Sequence, residues 1–397
     1  MTPWGSLFLH IPITIDNNAT RREKMSLKKA TTFIMIQLLI ISFLTGSLVY
    51  ALESTDAGEE EIKTYTYEEL LELAIKNSKE LRRKEQAIER SEVVREEASR
   101  HKTYTPEGVG TGHPADVMAR ATLQGVISAE IGMQVAKKQV EIEEDKLAYD
   151  VKKAFNNLLL AQSQLELDRA EMDLNNFELK LANVQHDNGT MGRFELIQNR
   201  NTNKEIEKKL EVAKLALETA YLELNNLTGF KKDYRYNLQV EAKEEKELGD
   251  LEHHISRTLS YNPAIWSLEQ SVKLAETALY LYSYNAGADP YKAKELDVST
   301  AKLNVGNAKE MLEHSLRTLY KSMDQLKEAR GILEINLNKA EDSLKMARVK
   351  LEVGAGIPLE VKKVEKAVAE LEHKLMENEL QYEEILAIYN KPWVAAN

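Results

Sequence analysis

Residues 186–198 read HDNGTMGRFELIQ and residues 351–363 read LEVGAGIPLEVKK, and each stretch interrupts a segment that is otherwise typical of a long helix. The two stretches align at an offset of 165 residues, which places Gly189 opposite Gly354. Glycine accepts the left-handed backbone conformation that commonly ends a helix. Both stretches are therefore predicted to be the turns, or tips, of long helical hairpins.

The same offset extends well beyond the two turns. AKKQV at 136–140 matches AKLNV at 301–305. Further toward the N-terminus a second offset, of 184 residues, applies: NSKEL at 77–81 matches YNPAI at 261–265. The chain therefore consists of two copies of one unit, and copy one carries about 19 extra residues between positions 99 and 123.

The duplication predicts how the chain is organised. Its segments are an N-terminal extension with a signal peptide (1–51), a linker (52–66), repeat one (67–230), an acidic linker (231–250) and repeat two (251–391). Each repeat reads as a first helix, a long helix and a returning helix: 67–101, 125–187 and 193–228 in repeat one, and 251–284, 293–353 and 358–390 in repeat two. Thr66 or Thr64 is a suitable N-cap for the first of them.

The long helices need partners. A helix of about 60 residues is about 90 Å long and is stable only if its apolar stripe packs along another helix. The glycine turns supply that partner by returning the chain antiparallel. The predicted fold is therefore all-α, with two tandem repeats of long antiparallel helical hairpins in coiled-coil packing.

Composition agrees with this fold and excludes several others. Charged residues make up 29% of the chain, which has only 8 Pro and 17 Gly and no Cys. Disulfide frameworks and cysteine-linked lipids are thereby excluded. Without residues 1–51 the chain has 48 basic and 62 acidic side chains, a net charge of −14. Such an acidic chain repels phosphate backbones, so no nucleic-acid partner is expected.

The N-terminal region predicts export. MSLKKATTFIMIQLLIISFLTGSLVYA at 25–51 has two lysines, an apolar run and a small-residue cleavage pattern that ends at Ala51. It reads as a secretory signal peptide, and an uncleaved N-terminal membrane anchor is the alternative. Met25 is the better start of the chain than Met1.

Four stretches carry a resemblance to a known family. They are YEELLELAIKNSKELRRKEQAIERSE (67–92), VKKAFNNLLLAQSQLELDRAEMDLNNFELKLANVQHDNGTMGRFELIQ (151–198), ISRTLSYNPAIWSLEQSVKLAE (255–276) and AELEHKLMENELQYEEILAIYN (369–390). In this order, and duplicated, they resemble the TolC-like outer-membrane efflux proteins across residues 66–391.

The resemblance implies a homotrimer whose long helices form a tunnel through the cell envelope. It implies that the hairpin tips meet a periplasmic adaptor of an inner-membrane efflux pump or secretion system. The implied adaptor-contacting residues are Gly189, Thr190, Met191, Gly192, Gly354, Ala355 and Gly356. The family's arginine-based entrance links have no match, because Met191 and Gly356 occupy the corresponding places.

Two glutamates follow the tips at equivalent positions. Glu195 and Glu360 each lie six residues beyond the turn glycine, near the place where the family carries acids at the tunnel entrance. They are also ordinary first-turn acids, which the helix dipole favours. Both readings stay open at this point.

The sequence departs from the family between the first and the long helices. HKTYTPEGVGTGHPADV (101–117) and SYNAGADPYK (283–292) are short and lack alternating apolar residues. A transmembrane strand needs about 9–11 residues and a hairpin needs two of them. Both stretches are predicted to be connectors, and little or no β-barrel is expected.

Other candidate sites have simpler interpretations. GVGTGHP (108–114) has no preceding strand and reads as a connector rather than a nucleotide loop. His253–His254 reads as a solvated helix start rather than a metal site. Tyr280, Tyr282 and Tyr284 are predicted to pack the end of the helical bundle, with a membrane-surface aromatic belt as the alternative. No catalytic constellation is present, so neither enzymatic activity nor a cofactor is expected.

The leading hypothesis is thus an exported conduit for efflux or secretion in the cell envelope, with membrane association as a further expectation. The alternative is an exported helical scaffold that keeps this architecture without forming a pore.

Overall fold

The computed structural model describes residues 63–102, 104–106, 110, 112–240, 249–283 and 289–395. The predicted signal peptide lies outside the described residues, as do Tyr284 and most of the glycine-rich stretch 107–111.

The described residues form eight α-helices and one small parallel sheet. The helices are α1 (Tyr67–Asn77), α2 (Lys79–Arg100), α3 (Pro114–Asp187), α4 (Arg193–Thr228), α5 (Leu251–Tyr261), α6 (Pro263–Tyr280), α7 (Tyr291–Glu352) and α8 (Pro358–Asn390). The strands are β1 (Thr64–Tyr65) and β2 (Asn237–Leu238), with Thr64 opposite Asn237 and Tyr65 opposite Leu238. The predicted all-α architecture of two helical hairpins is confirmed.

The first helix of each repeat is broken into two, which the sequence analysis did not predict. The breaks fall at Ser78 and Asn262, whose backbones have nearly the same conformation (φ −64°, ψ 118° and φ −63°, ψ 121°). Ser78 Oγ accepts a hydrogen bond from the Leu81 N–H (3.1 Å), and Asn262 Oδ1 accepts one from the Ile265 N–H (3.1 Å). Each side chain thus caps the following helix, and Pro263 further disfavours helical geometry at Asn262. The two breaks are 184 residues apart, which is the offset read from the sequence.

The caps explain where other helices begin. Thr66 caps α1 in a reciprocal arrangement, with Thr66 Oγ1 accepting from the Glu69 N–H (3.3 Å) and Glu69 Oε2 accepting from the Thr66 N–H (3.0 Å). Thr66 is therefore confirmed as the N-cap. The helix α3 begins at Pro114 rather than near residue 125, because proline suits a first helical turn and His113 caps it.

The long helices α3 and α7 each pair with two shorter helices in succession. With 74 residues, α3 is about 110 Å long, packs against α2 along its first part and against α4 along its last part. In repeat two, α7 packs in the same way against α6 and then α8. Each long helix thus gains an antiparallel partner along nearly its whole length.

The two repeats meet where α3 packs against α6 and α8. Polar contacts line the seam between α3 and α8: Lys152 lies 2.9 Å from Glu383, and the Tyr149 hydroxyl donates to Glu384 (2.8 Å). Closer to the tips, Ser163 Oγ lies 2.9 Å from His373 Nδ1. The seam is therefore set by specific side-chain pairs rather than by apolar packing alone.

The C-terminal residues close the same seam. After α8, a short 3₁₀ turn at Pro392–Val394 places the Trp393 indole N–H 2.8 Å from an Asp145 carboxylate oxygen. Lys391 forms an ion pair with the other oxygen of Asp145. One carboxylate on α3 thus holds the end of repeat two.

Each repeat has a buried core well away from its tip. The core of repeat one includes Leu70, Val151, Phe155, Leu158, Leu224 and Tyr236, and the smaller core of repeat two includes Ile255, Leu316, Met323 and Tyr389. Tyr236 belongs to the segment read from sequence as a plain linker, yet it is only 1% exposed. Part of this segment is therefore an integral element of repeat one, attached to β1 through β2.

The turn after α4 is organised by one buried amide. Asn225 Nδ2 donates to the carbonyl oxygens of Lys231 (3.2 Å), Lys232 (3.2 Å) and Tyr234 (3.0 Å). Gly229, with φ +79°, ends the helix. A single side chain thus satisfies three backbone carbonyls and sets the path of the chain toward β2.

Candidate docking site at the hairpin tips

The tip of repeat one has the hydrogen bonds of a helix-terminating turn. Gly189 has φ +74°, and the N–H groups of Thr190 and Met191 both donate to the carbonyl oxygen of Gln185 (2.8 and 3.1 Å). The His186 ring donates from Nδ1 to the Met191 carbonyl oxygen (3.0 Å). The two bonds to Gln185 satisfy a carbonyl that the end of α3 leaves without a helical partner, and the bond from His186 ties the turn back to the helix.

The tip of repeat two reproduces this turn at the 165-residue offset. Gly354 has φ +73°, and the N–H groups of Ala355 and Gly356 both donate to the carbonyl oxygen of Lys350 (2.8 and 2.9 Å). The predicted left-handed glycines are therefore present at both tips. The duplication holds down to individual hydrogen bonds.

Both tips lie at the same end of the described structure. An ion pair between Glu178 and Lys363 (3.2 Å) ties the last turns of α3 to the first turns of α8. The tip residues themselves are exposed, except that Met191 and Gly356 are half-buried. The structure thus presents the two predicted tip sequences side by side.

The two tip glutamates lie in the first turns of the returning helices. Glu195 and Glu360 are exposed, and neither has an ion-pair partner among the described residues. This position agrees with the helix-dipole reading and also leaves the carboxylates accessible. A role at a tunnel entrance stays a prediction.

Sequence reasoning missed the apolar side chains that flank the turns. Phe194 is 74% exposed beside the first tip, and Val353 is 71% exposed beside the second. Ile357 is also exposed. Their signal in the sequence is a large apolar residue within two positions of a turn glycine, where the described helices of the same chain leave it uncovered.

The other candidates from the sequence have local roles. His254 stacks on Tyr389 (3.9 Å between ring centroids), and its Nε2 donates to the Tyr389 carbonyl oxygen (3.0 Å). Tyr282 packs against Tyr291 (5.4 Å between centroids). Tyr280 is exposed, so the tyrosines do not share one environment.

None of the described helices contains an apolar stretch long enough to span a bilayer.

Comparisons with known proteins identify the fold. No protein-family model matches the chain, and no curated protein matches it in sequence. The outer-membrane channel OprN matches in structure with a TM-score of 0.62 at 11% identity, covering 83% of this chain and 90% of that one. The outer-membrane protein VceC of Vibrio cholerae matches with a TM-score of 0.61 at 12% identity, covering 82% and 94%.

The Campylobacter jejuni outer-membrane channel CmeC also matches, with a TM-score of 0.60 at 11% identity, covering 87% of this chain and 93% of that one. These neighbours are channels rather than enzymes. The chain therefore has the fold of the TolC-like outer-membrane channels, which confirms the resemblance at the level of the fold.

Proposed function

We propose that this chain is the subunit of a closed ring of long helices, a homotrimer that serves as an efflux or export conduit in the cell envelope. Its hairpin tips would dock a periplasmic adaptor of an inner-membrane pump. The observation that carries the proposal is the line of exposed apolar side chains along α7, taken together with the channel fold.

The described residues leave much of the helix α7 uncovered. Among its 62 residues only Val298, Leu316 and Met323 are buried. Its exposed apolar side chains are distributed from one end to the other: Leu296, Leu303, Met311, Ile332, Ile335, Met346 and Val349. An apolar line of this length on an exported protein is typical of an interface.

The helices α2 and α4, which pack on α3 and not extensively on α7, also carry exposed apolar side chains. Val93 on α2, and Val212 and Leu215 on α4, are exposed. Contact between two different edges is heterologous, and such contacts close into a ring when the rotation between copies permits it. Three copies is the number that the family resemblance implies.

The first experiment measures the assembly and its role in cells. Light scattering of the purified protein without residues 1–51 is expected to give three times the chain mass, and deletion of the gene is expected to sensitise cells to substrates of an envelope pump. A stable monomer would contradict the proposal. A trimer whose loss leaves pump-dependent resistance unchanged would favour the non-pore scaffold.

The tips provide a separate prediction. Gly189→Val together with Gly354→Val should strain two left-handed turns by about 1–2 kcal/mol each and weaken adaptor crosslinking at the tips. Gly132→Val is a matched control, because Gly132 lies inside α3 without positive φ and no described atom lies within 4 Å of an added Cβ. Equal adaptor crosslinking by the tip variant and the control would exclude the tips as the docking site.

A further inference from the structure

One part of the described surface concentrates basic side chains on an otherwise acidic protein. It lies where the break at Ser78 meets the turn after α4, because Asn77 Nδ2 donates to the Thr228 carbonyl oxygen (2.7 Å). Residues 76–82 and 229–237 together carry a net charge of +4, whereas the chain without its predicted signal peptide carries −14. We call the exposed basic side chains of these two segments the basic patch: Lys76, Lys79, Arg82, Lys231, Lys232 and Arg235.

Hydrogen bonds fix the backbone that carries the basic patch. Asn225 holds the turn after α4 through bonds to the carbonyl oxygens of Lys231 and Lys232 (3.2 Å each). The Arg82 guanidinium donates back to the Lys76 carbonyl oxygen at the end of α1 (3.3 Å). The two segments therefore have a defined arrangement, and their lysine ammonium groups are exposed to solvent.

The charges of the basic patch are not neutralised by the described residues. None of the six side chains forms an ion pair with another described residue, although ion pairs are frequent elsewhere on these helices. The acidic residues within the two segments are Glu80, which pairs with Arg83 (2.6 Å), and Asp233, which is exposed. Like charges held close together repel one another, and an anionic partner would relieve that repulsion.

The internal duplication shows that the helix break itself does not require these charges. The residues of repeat two that correspond to 76–82, at the offset of 184, are 260–266, with the sequence SYNPAIW, and none of them is charged. They form the same break, capped by Asn262. Basic side chains were thus added to a shared backbone in repeat one, which indicates a role in binding rather than in folding.

We propose that the basic patch binds a carboxylate-bearing glycan polymer of the cell envelope, of the peptidoglycan type. Four of its six side chains are lysines, which bind anions as flexible point charges and need no fixed ligand geometry. Such groups suit a polymer with repeated carboxylates better than a single small ligand of defined shape. This binding site goes beyond the proposed conduit and does not involve the hairpin tips.

The position of the patch along the helices favours a polymer over a membrane or a pump component. From the patch, α4 extends over 36 residues, about 54 Å, to the tip of repeat one. In the opposite direction α2 extends over 22 residues, about 33 Å. A membrane or a pump component that contacts either end of the helices is therefore far from the patch, whereas a polymer mesh can surround them at mid-length.

Cosedimentation with purified peptidoglycan sacculi, stripped of attached phosphate polymers, tests the site. The protein is purified as cells produce it, so that the acidic segments next to the patch in sequence, 52–62 and 241–248, are present during the measurement; both lie outside the described residues. Wild type is expected to sediment with the sacculi at low ionic strength and to be released as salt is raised. Sacculi whose carboxylates have been converted to amides should retain little protein, and equal binding to them would contradict carboxylate recognition.

The patch variant combines Lys76→Gln, Lys231→Gln and Lys232→Gln. None of these three side chains forms a hydrogen bond or an ion pair with a described residue, so circular dichroism should remain that of wild type. Exposed charge contacts each contribute little, and the loss of three is expected to weaken binding to sacculi about tenfold. Replacing the same three lysines with arginine keeps the charge and should keep the binding.

The matched control variant combines Lys180→Gln, Lys204→Gln and Lys208→Gln. It removes the same number of charges from exposed positions on the tip half of the first hairpin. If binding followed the net charge of the protein alone, this variant would lose as much affinity as the patch variant. We expect it to bind sacculi like wild type.

The outcomes separate this inference from the proposed function. A patch variant that binds like wild type, or a control variant that loses as much affinity, overturns the site. Stronger binding of wild type to phosphatidylglycerol vesicles than to sacculi also overturns it, in favour of a membrane surface. None of these measurements involves a pump or the number of copies in the assembly, so their failure would leave the conduit standing, and a monomeric protein would leave this site standing.

Discussion

Asn225→Asp is expected to lower the free energy of unfolding by about 3–5 kcal/mol, the cost of an uncompensated buried charge. Asn225 is 1% exposed, and its amide nitrogen donates to three carbonyl oxygens. A carboxylate in that position would accept nothing from them and would instead face three oxygen atoms of like partial charge. The turn that leads to β2 should therefore open.

Urea unfolding followed by circular dichroism measures this change. The neighbouring Asn226→Asp is the matched control, since Asn226 is exposed on the same helix turn and carries the same change in charge. We expect the control to remain within about 0.5 kcal/mol of wild type. Similar unfolding midpoints for the two variants would show that the carbonyl cluster does not depend on Asn225.

Gly229→Ala is expected to cause the second large decrease in the free energy of unfolding. The backbone of Gly229 has φ +79°, a conformation that costs an alanine about 1–2 kcal/mol. A Cβ there would lie 2.7 Å from Asn77 Nδ2 and 2.9 Å from Asn77 Cγ. Asn77 cannot move freely, because its amide donates to the Thr228 carbonyl oxygen (2.7 Å). Overpacking should therefore add about 1–3 kcal/mol to the backbone strain.

Gly189→Ala separates the two contributions. Gly189 has nearly the same φ, +74°, but an added Cβ would meet no atom of the described residues within 4 Å. In urea unfolding, Gly189→Ala is expected to lower the free energy of unfolding only by the backbone strain. The decrease should therefore be clearly smaller than that of Gly229→Ala. Equal values would mean that the contact with Asn77 contributes nothing.

Local signals in the sequence were sufficient for much of the fold. The turn glycines, the two offsets and the Thr66 cap act over a few residues, where backbone geometry and hydrogen bonding dominate. They predicted both hairpins and their tips. The break at Ser78 was missed because serine inside a helical pattern is tolerated, and only the packing of α1 decides whether it caps a new helix.

Long-range features could not be read in the same way. Nothing near Tyr236 shows that it is buried, because its partners Tyr65 and Tyr221 come from other segments. Periodicity likewise shows that α7 has an apolar stripe but not that the chain leaves part of it exposed. At the tips, the glycines were predicted and Phe194 was not, because exposure is a property of the assembled hairpin.

The contact between the C-terminal turn and Asp145 has a consequence for the order of folding. Each hairpin joins residues that are close in the chain, so both can form early and quickly. Trp393 and Asp145 are 248 residues apart, and Tyr149 and Glu384 are 235 apart. The seam can therefore close only after the last residues have been synthesised. Until then α3 exposes the side chains that will receive α8, and a nascent chain is most prone to pair with a neighbouring chain at that surface.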